Sequence, residues 1–218
     1  MSTGFELLPW AIALAIGAAS ARRGTLANRP VWTLDTAMRD EAILAESLAA
    51  VGRDHGRTGT IRYGTVRGRA LAFSWSEQGA FTAHVDGALA QQEGVDLVRQ
   101  VEADYRRRVQ SRTVTAVAKG APGGGLDVVD QRREPDGTVV IQLQSRDRGG
   151  GVSVGVTPQG QVTGATHGFK GDACLPYEPL LESLAVSRTI RSWYTAEYDE
   201  QQQAGSYGYQ RARESESE

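Results

Sequence analysis

The chain has 218 residues, 40% hydrophobic and 23% charged, a balance that suits a globular protein with one sizeable domain or two small ones. A formal net charge of −2 supplies no whole-protein field to draw in nucleic acid or an anionic membrane. A single cysteine, Cys174, excludes an internal disulfide framework and any multi-cysteine zinc site, and it fits a reducing cytosol.

The chain opens on an apolar run in which Leu7, Leu8, Trp10, Ile12, Leu14 and Ile16 precede the pair Arg22 and Arg23. The run predicts an N-terminal apolar helix over residues 1–23. Pro9 suits its first turn, Trp10 suits an interface, and the arginine pair places the body on the cytosolic side. Membrane spans need about 20 apolar residues and at least about 17, so this one sits at the short limit. Three readings stay open: a membrane anchor, a helix docked on protein, and a cleaved signal, the last without the basic start such peptides carry.

Residues 24–30 read as a linker and 31–34 as a short strand. Asp35 or Thr36 then caps an amphipathic helix over 37–51, where Ala37, Met38, Ala42, Ile43, Leu44, Leu48 and Val51 recur at helical spacing and Gly52 takes the stop position. Strands follow at 60–66, 70–75 and 80–85, the last two joined as a hairpin by Ser76–Gly79. Residues 94–117 carry the longest helical pattern, with Val95, Leu97, Val98, Val101, Tyr105, Val109, Val114 and Val117 as its apolar positions and a β-branched end that frays.

A glycine loop at 120–125 leads to a strand at 126–129, and Glu134-Pro135-Asp136-Gly137 turns the chain into another at 138–144. Residues 146–151 read as a domain boundary. Strands at 152–156 and 161–165 then flank a turn at Thr157–Gly160, with a short helix near 175–184. The tail from residue 200 is rich in Gln, Gly, Arg, Ser and Glu and reads as disordered.

The expected class is therefore α+β: two small modules of antiparallel hairpins packed with amphipathic helices, at 31–145 and 146–199, plus the N-terminal apolar helix. The first module resembles the hypothetical chloroplast reading frame 35 family, of unknown function. The stretches that carry the likeness are 34–52, 70–86, Gln100 to Tyr105, 126–130 and 134–143. Residues 150–199 resemble a second small family of unknown function. Here the likeness rests on Gly168-Phe169-Lys170-Gly171-Asp172-Ala173-Cys174 and Thr195-Ala196-Glu197-Tyr198. In its hairpin turn the chain departs from that family, with Thr157-Pro158-Gln159-Gly160 in place of a Pro-Asp-Gly type. Genes of the two families often adjoin one for an AAA-type ATPase, so the resemblance implies a fused pair of accessory modules serving that machine. It marks Tyr105, Gly168, Phe169, Gly171, Cys174 and Tyr198 as motif residues.

No catalytic, metal or cofactor set stands out from the residues. The glycine loop lacks the Lys-Ser or Lys-Thr of a phosphate cradle and leads into a strand. Cys174 reads either as a nucleophile before a helix or as a small buried apolar residue. His55, His84 and His167 show no metal-ligand spacing. Asp127 and Asp130 read as acid/base partners or as solvated edge charges. Arg106, Arg107 and Arg108 read as a phosphate grip or as the wet face of a helix, and Trp75, Phe81 and Tyr105 as core. The leading expectation is a non-enzymatic adaptor near the cytosolic side of a membrane, binding protein partners, an AAA-type ATPase among them, or itself through its strand edges. The alternatives are a thiol- or metal-dependent enzyme centred on Cys174 and an RNA-associated factor.

Overall fold

The structure is a computed structural model that describes residues 3–12, 21–169, 174–185 and 187–194. The chain divides into two compact units. One is Leu8–Arg112, and the other joins the residues up to Leu7 with those from Thr113 onward.

In the first unit, β2 (Arg22–Leu26) and β3 (Arg29–Asp35) pair antiparallel around Ala27 and Asn28. Both turn residues have positive φ, the signature of a tight two-residue hairpin. The Asp40 carboxylate then caps α1 (Glu41–Val51), accepting from the N–H of Ala42 at 2.8 Å and of Ile43 at 3.0 Å. Ile43, Leu44, Ser47 and Leu48 form its buried stripe. At Gly52 an added Cβ would lie 2.9 Å from the carbonyl oxygens of Leu48 and Thr65, so the helix end passes too close to other backbone for a side chain. A meander of β4 (Arg53–Thr58), β5 (Ile61–Val66), β6 (Arg69–Trp75) and β7 (Phe81–Asp86) completes a six-stranded sheet of order β2-β3-β7-β6-β5-β4. The helix α2 (Gln91–Gly120) follows. Its Val95, Leu97, Val98, Val101, Tyr105 and Val109 share one core with Leu34, Leu44, Leu71, Phe73 and Val85.

The second unit is built on β1 (Thr3–Pro9), β8 (Leu126–Arg133), β9 (Val139–Ser145), β10 (Gly151–Val156), β11 (Val162–His167) and β12 (Ser187–Tyr194). Their order is β12-β1-β11-β10-β9-β8. Strict alternation in β9, with Val139, Ile141, Leu143 and Ser145 buried, points one face to a core that also holds Phe5, Leu7, Val114, Val117, Val154, Phe169, Cys174 and, from α3 (Tyr177–Leu184), Leu181. The two sheets share one plan. Each has a four-strand meander whose last strand pairs antiparallel with a strand from elsewhere in the chain, and that strand carries one outer neighbour. In the second unit the strand from elsewhere is the N-terminal one.

These facts correct the α+β expectation. Two antiparallel sheets dominate the described residues, and no N-terminal apolar helix stands over residues 3–9. Gly4–Leu7 instead pair with Val162–Ala165 of β11. A short apolar run fits a buried strand as well as a helix, and sheet pairing decided here. Of the proposed anchor residues, Leu7, Leu8 and Ile12 are buried in core, Trp10 is 51% exposed, and Leu14 and Ile16 lie outside the described residues. No described helix is long and apolar enough to cross a membrane. Residues 24–30, read as a linker, belong to the β2–β3 hairpin. Residues 146–150, read as a boundary, are the turn by which β9 pairs with β10 inside one sheet. The polar tail from residue 200 lies outside the described residues.

Candidate binding groove and sheet edge

The glycine-rich connection after α2 forms a 3-10 turn, Ala121–Gly124, closed by Gly125 in the left-handed region at φ 77°. Gly125 donates its N–H to the carbonyls of Ala121 and Pro122 and accepts at its own carbonyl from the N–H of Arg146 at 3.1 Å. The loop is thus tied to the β9–β10 turn. Arg146 ties it again by donating from Nη1 to the Pro122 carbonyl at 3.4 Å, while its Nε and Nη2 donate to Asp127 Oδ1 at 2.9 and 2.5 Å and hold that carboxyl below the usual carboxylate range.

Beside this turn lies a groove of about 290 Å³ lined by Gly124, Gly125, Ser145, Asp147, Arg148, Pro176, Tyr177 and Leu180. At its base the hydroxyls of Ser145 and Tyr177 meet at 2.9 Å, and Ser145 Oγ also accepts from the N–H of Arg148 at 3.2 Å. The Tyr177 ring packs on Phe169 with centroids 4.9 Å apart, and the Arg148 guanidinium lies 6.0 Å from the Tyr177 centroid. One wall is Leu180, close enough that a Cβ on Gly124 would lie 2.5 Å from it. Gly150 is equally confined, by the Phe169 ring. The groove joins one cation, one anion, a buried hydroxyl pair and an apolar wall.

Next to the groove begins β8, the last strand of its sheet. Only Leu126 of this strand is buried; every residue from Asp127 to Arg133 is exposed. A bulge lies between Val128 and Asp130, and Val128 and Val129 stand 38% and 62% exposed. Arg132 bridges Asp130 at 2.8 Å and Glu134 at 2.9 Å along the strand's own direction. Asp127 and Asp130 are therefore edge charges, each on an arginine.

No protein-family model matches the chain, and no curated protein or solved structure does either.

Of the residues marked by the resemblance, Phe169 backs Tyr177 of the groove, and Gly168, at φ 71°, lies against Gly149 and Gly150. Cys174 is fully buried in the same core and does not line the groove. Gly171 and Tyr198 lie outside the described residues. Tyr105 belongs to the first unit, where its hydroxyl accepts from the N–H of Arg39 at 3.0 Å and of Asp40 at 2.8 Å and donates to the carbonyl of Ala11 at 2.5 Å. Burial pushes its pKa up to about 12.

Arg107 and Arg108 each reach Asp104, and Arg108 also reaches Glu46, so carboxylates already occupy two of the three guanidiniums that the RNA reading assigned to phosphate. His84 Nε2 meets Ser74 Oγ at 2.8 Å, its Nδ1 is buried without a hydrogen-bond partner, and burial lowers its pKa. Among the described residues no three of His, Cys, Asp and Glu gather as metal ligands. Trp75, expected in the core, is 51% exposed and meets Phe81 edge-on at 5.0 Å. Sequence reasoning missed Ser145, Asp147, Arg148 and Tyr177. The one visible signal was the charged, glycine-rich 145–151 segment beside a second glycine loop, and it reads equally well as a linker.

Proposed function

We propose that this chain is a non-enzymatic accessory protein that receives a segment of a partner protein in the groove beside Gly124 and Gly125. The observation that carries the reading is the groove's size and lining. At about 290 Å³ it falls at the floor of the range for small-molecule pockets, about 300–1,000 Å³, which leaves little room for a nucleotide or an organic cofactor. One or two side chains of a protein fit that space. Arg148 and Asp147 offer both signs of charge, Leu180 offers an apolar wall, and the buried Ser145–Tyr177 pair fixes the floor.

The resemblance of both halves to accessory families supplies the partner class, an AAA-type ATPase. The lone cysteine suits the cytosol as the place of action. A membrane tether is not part of the reading, because β1 takes up Leu7 and Leu8 of the run that suggested it and Ile12 is buried in core.

The test is tagged purification from native cells of the full chain and of Asp147→Lys and Arg148→Glu variants. An AAA-type ATPase is expected with the wild type, and at least tenfold less of it with either variant while thermal stability stays unchanged. Equal recovery with all three proteins rejects the groove. Absence of any ATPase from the wild-type eluate rejects the partner class.

A further inference from the structure

β8 ends its sheet with a whole row of exposed side chains, and its outer backbone has no strand neighbour among the described residues, a ready template for strand addition. Charge on this strand is segregated along its length. Asp127 and Asp130 come first, Arg132 and Arg133 after them. Such a strand is complementary to itself run backwards. We propose that two copies of this chain associate by antiparallel pairing of β8 with β8 across a two-fold axis.

Symmetric antiparallel pairing relates residues whose numbers sum to a constant. With the axis beside Gln131, Asp130 of each copy faces Arg132 of the other, and neither match crosses the bulge at Val129. Directly opposite residues on paired strands come within about 5 Å, so the dimer gains two Asp130–Arg132 pairs across the seam. Parallel pairing would set acid on acid and base on base. Val129, the bulge residue, lies two positions from the axis, where pairing covers it.

Charges on an edge strand ordinarily deter pairing. Here their order makes the deterrent selective, because only the antiparallel arrangement brings opposite signs together. The pair that must rearrange, Arg132 with Asp130, is exposed, and exposed pairs exchange at little cost. The short paired stretch and its bulge make the association weak and concentration-dependent. The inference is independent of partner binding in the groove.

Sedimentation equilibrium of the full chain through the micromolar range tests it, with Asp127→Arg/Asp130→Arg and Arg132→Asp/Arg133→Asp variants alongside. The wild type is expected to double its mass reversibly with concentration, and each variant alone to stay monomeric with an unchanged melting curve. An equimolar mixture of the two variants is expected to recover the doubled mass. In the wild type, amide exchange of residues 127–133 is expected to slow as concentration rises. A wild type that stays monomeric throughout, or variants that dimerise like it, or a mixture that gains nothing, overturns the proposal.

Discussion

The N–H of Asp40 donates to the hydroxyl of Tyr105 at 2.8 Å, joining the cap of α1 to the buried face of α2. The same oxygen accepts from Arg39 and donates to Ala11, so one phenol satisfies three backbone groups. Tyr105→Phe keeps the ring and removes that partner from all three; the Arg39 N–H and the Ala11 carbonyl still meet each other at 3.0 Å, so the Asp40 N–H loses the most. We expect it to lower unfolding free energy by about 1–3 kcal/mol in urea titrations. The phenol also sets a pH dependence. Its folded pKa, about 12, lies above its ordinary 10.0, so the stability it confers is complete below pH 10 and is lost as pH rises from there through about 12. The wild-type curve should therefore fall more steeply over that window than the Tyr105→Phe curve. Parallel curves would deny the buried phenol this role.

The Asp40 carboxylate holds two N–H groups of the first turn of α1, Ala42 and Ile43. Asp40→Ala is expected to cost about 1 kcal/mol and Asp40→Asn only a fraction of it, because an amide oxygen still accepts. Thermal unfolding distinguishes the two. Equal losses would mean that charge, not cap geometry, stabilises the helix start.

What was legible in the sequence were features set by local chemistry. Gly79, Gly137 and Gly160 each take positive φ in the hairpin turns that their neighbours announce, and the apolar spacing from Val95 to Val117 becomes a helix that continues through its β-branched end to Gly120. The cap of α1 was placed four or five residues early, because Met38 instead bridges Ile12 and Asp40 takes the capping role. β4 was missed: Arg53 to Thr58 is polar throughout, and an exposed edge strand needs no alternation. β1 was misread because its partner, β11, lies more than 150 residues away and sheet order leaves no local trace. The groove was hidden for the same reason. Gly124, Ser145 and Tyr177 come from three separate segments, none with a motif of its own.

The Ser145–Tyr177 hydroxyl pair is buried, so its two members should be energetically coupled. Ser145→Ala leaves the Tyr177 hydroxyl and the Arg148 N–H without that partner, and Tyr177→Phe leaves Ser145 still serving Arg148. We expect Ser145→Ala to be the costlier single change and the double variant to lose about 1 kcal/mol less than the sum of the two. Strict additivity in a double-mutant cycle would show that the hydroxyls do not depend on each other.

Phe5 of β1 sits opposite Gly164 of β11, and its ring occupies the volume that a Cβ on Gly164 would need. This is the position at which the N-terminal strand is admitted to a sheet otherwise built from residues beyond 125. Gly164→Ala must push a fully buried ring, and overpacking of this kind costs about 1–3 kcal/mol. If the ring is the cause, a smaller residue at Phe5 should relieve it. Phe5→Leu alone loses packing and is destabilising, yet combined with Gly164→Ala it should recover at least about 1 kcal/mol relative to the sum of the single losses. Urea unfolding of the four proteins in the cycle measures that term. A Gly164→Ala protein as stable as the wild type, or a double variant whose losses merely add, would mean that β1 is seated in the sheet by something other than the fit of Phe5 over Gly164.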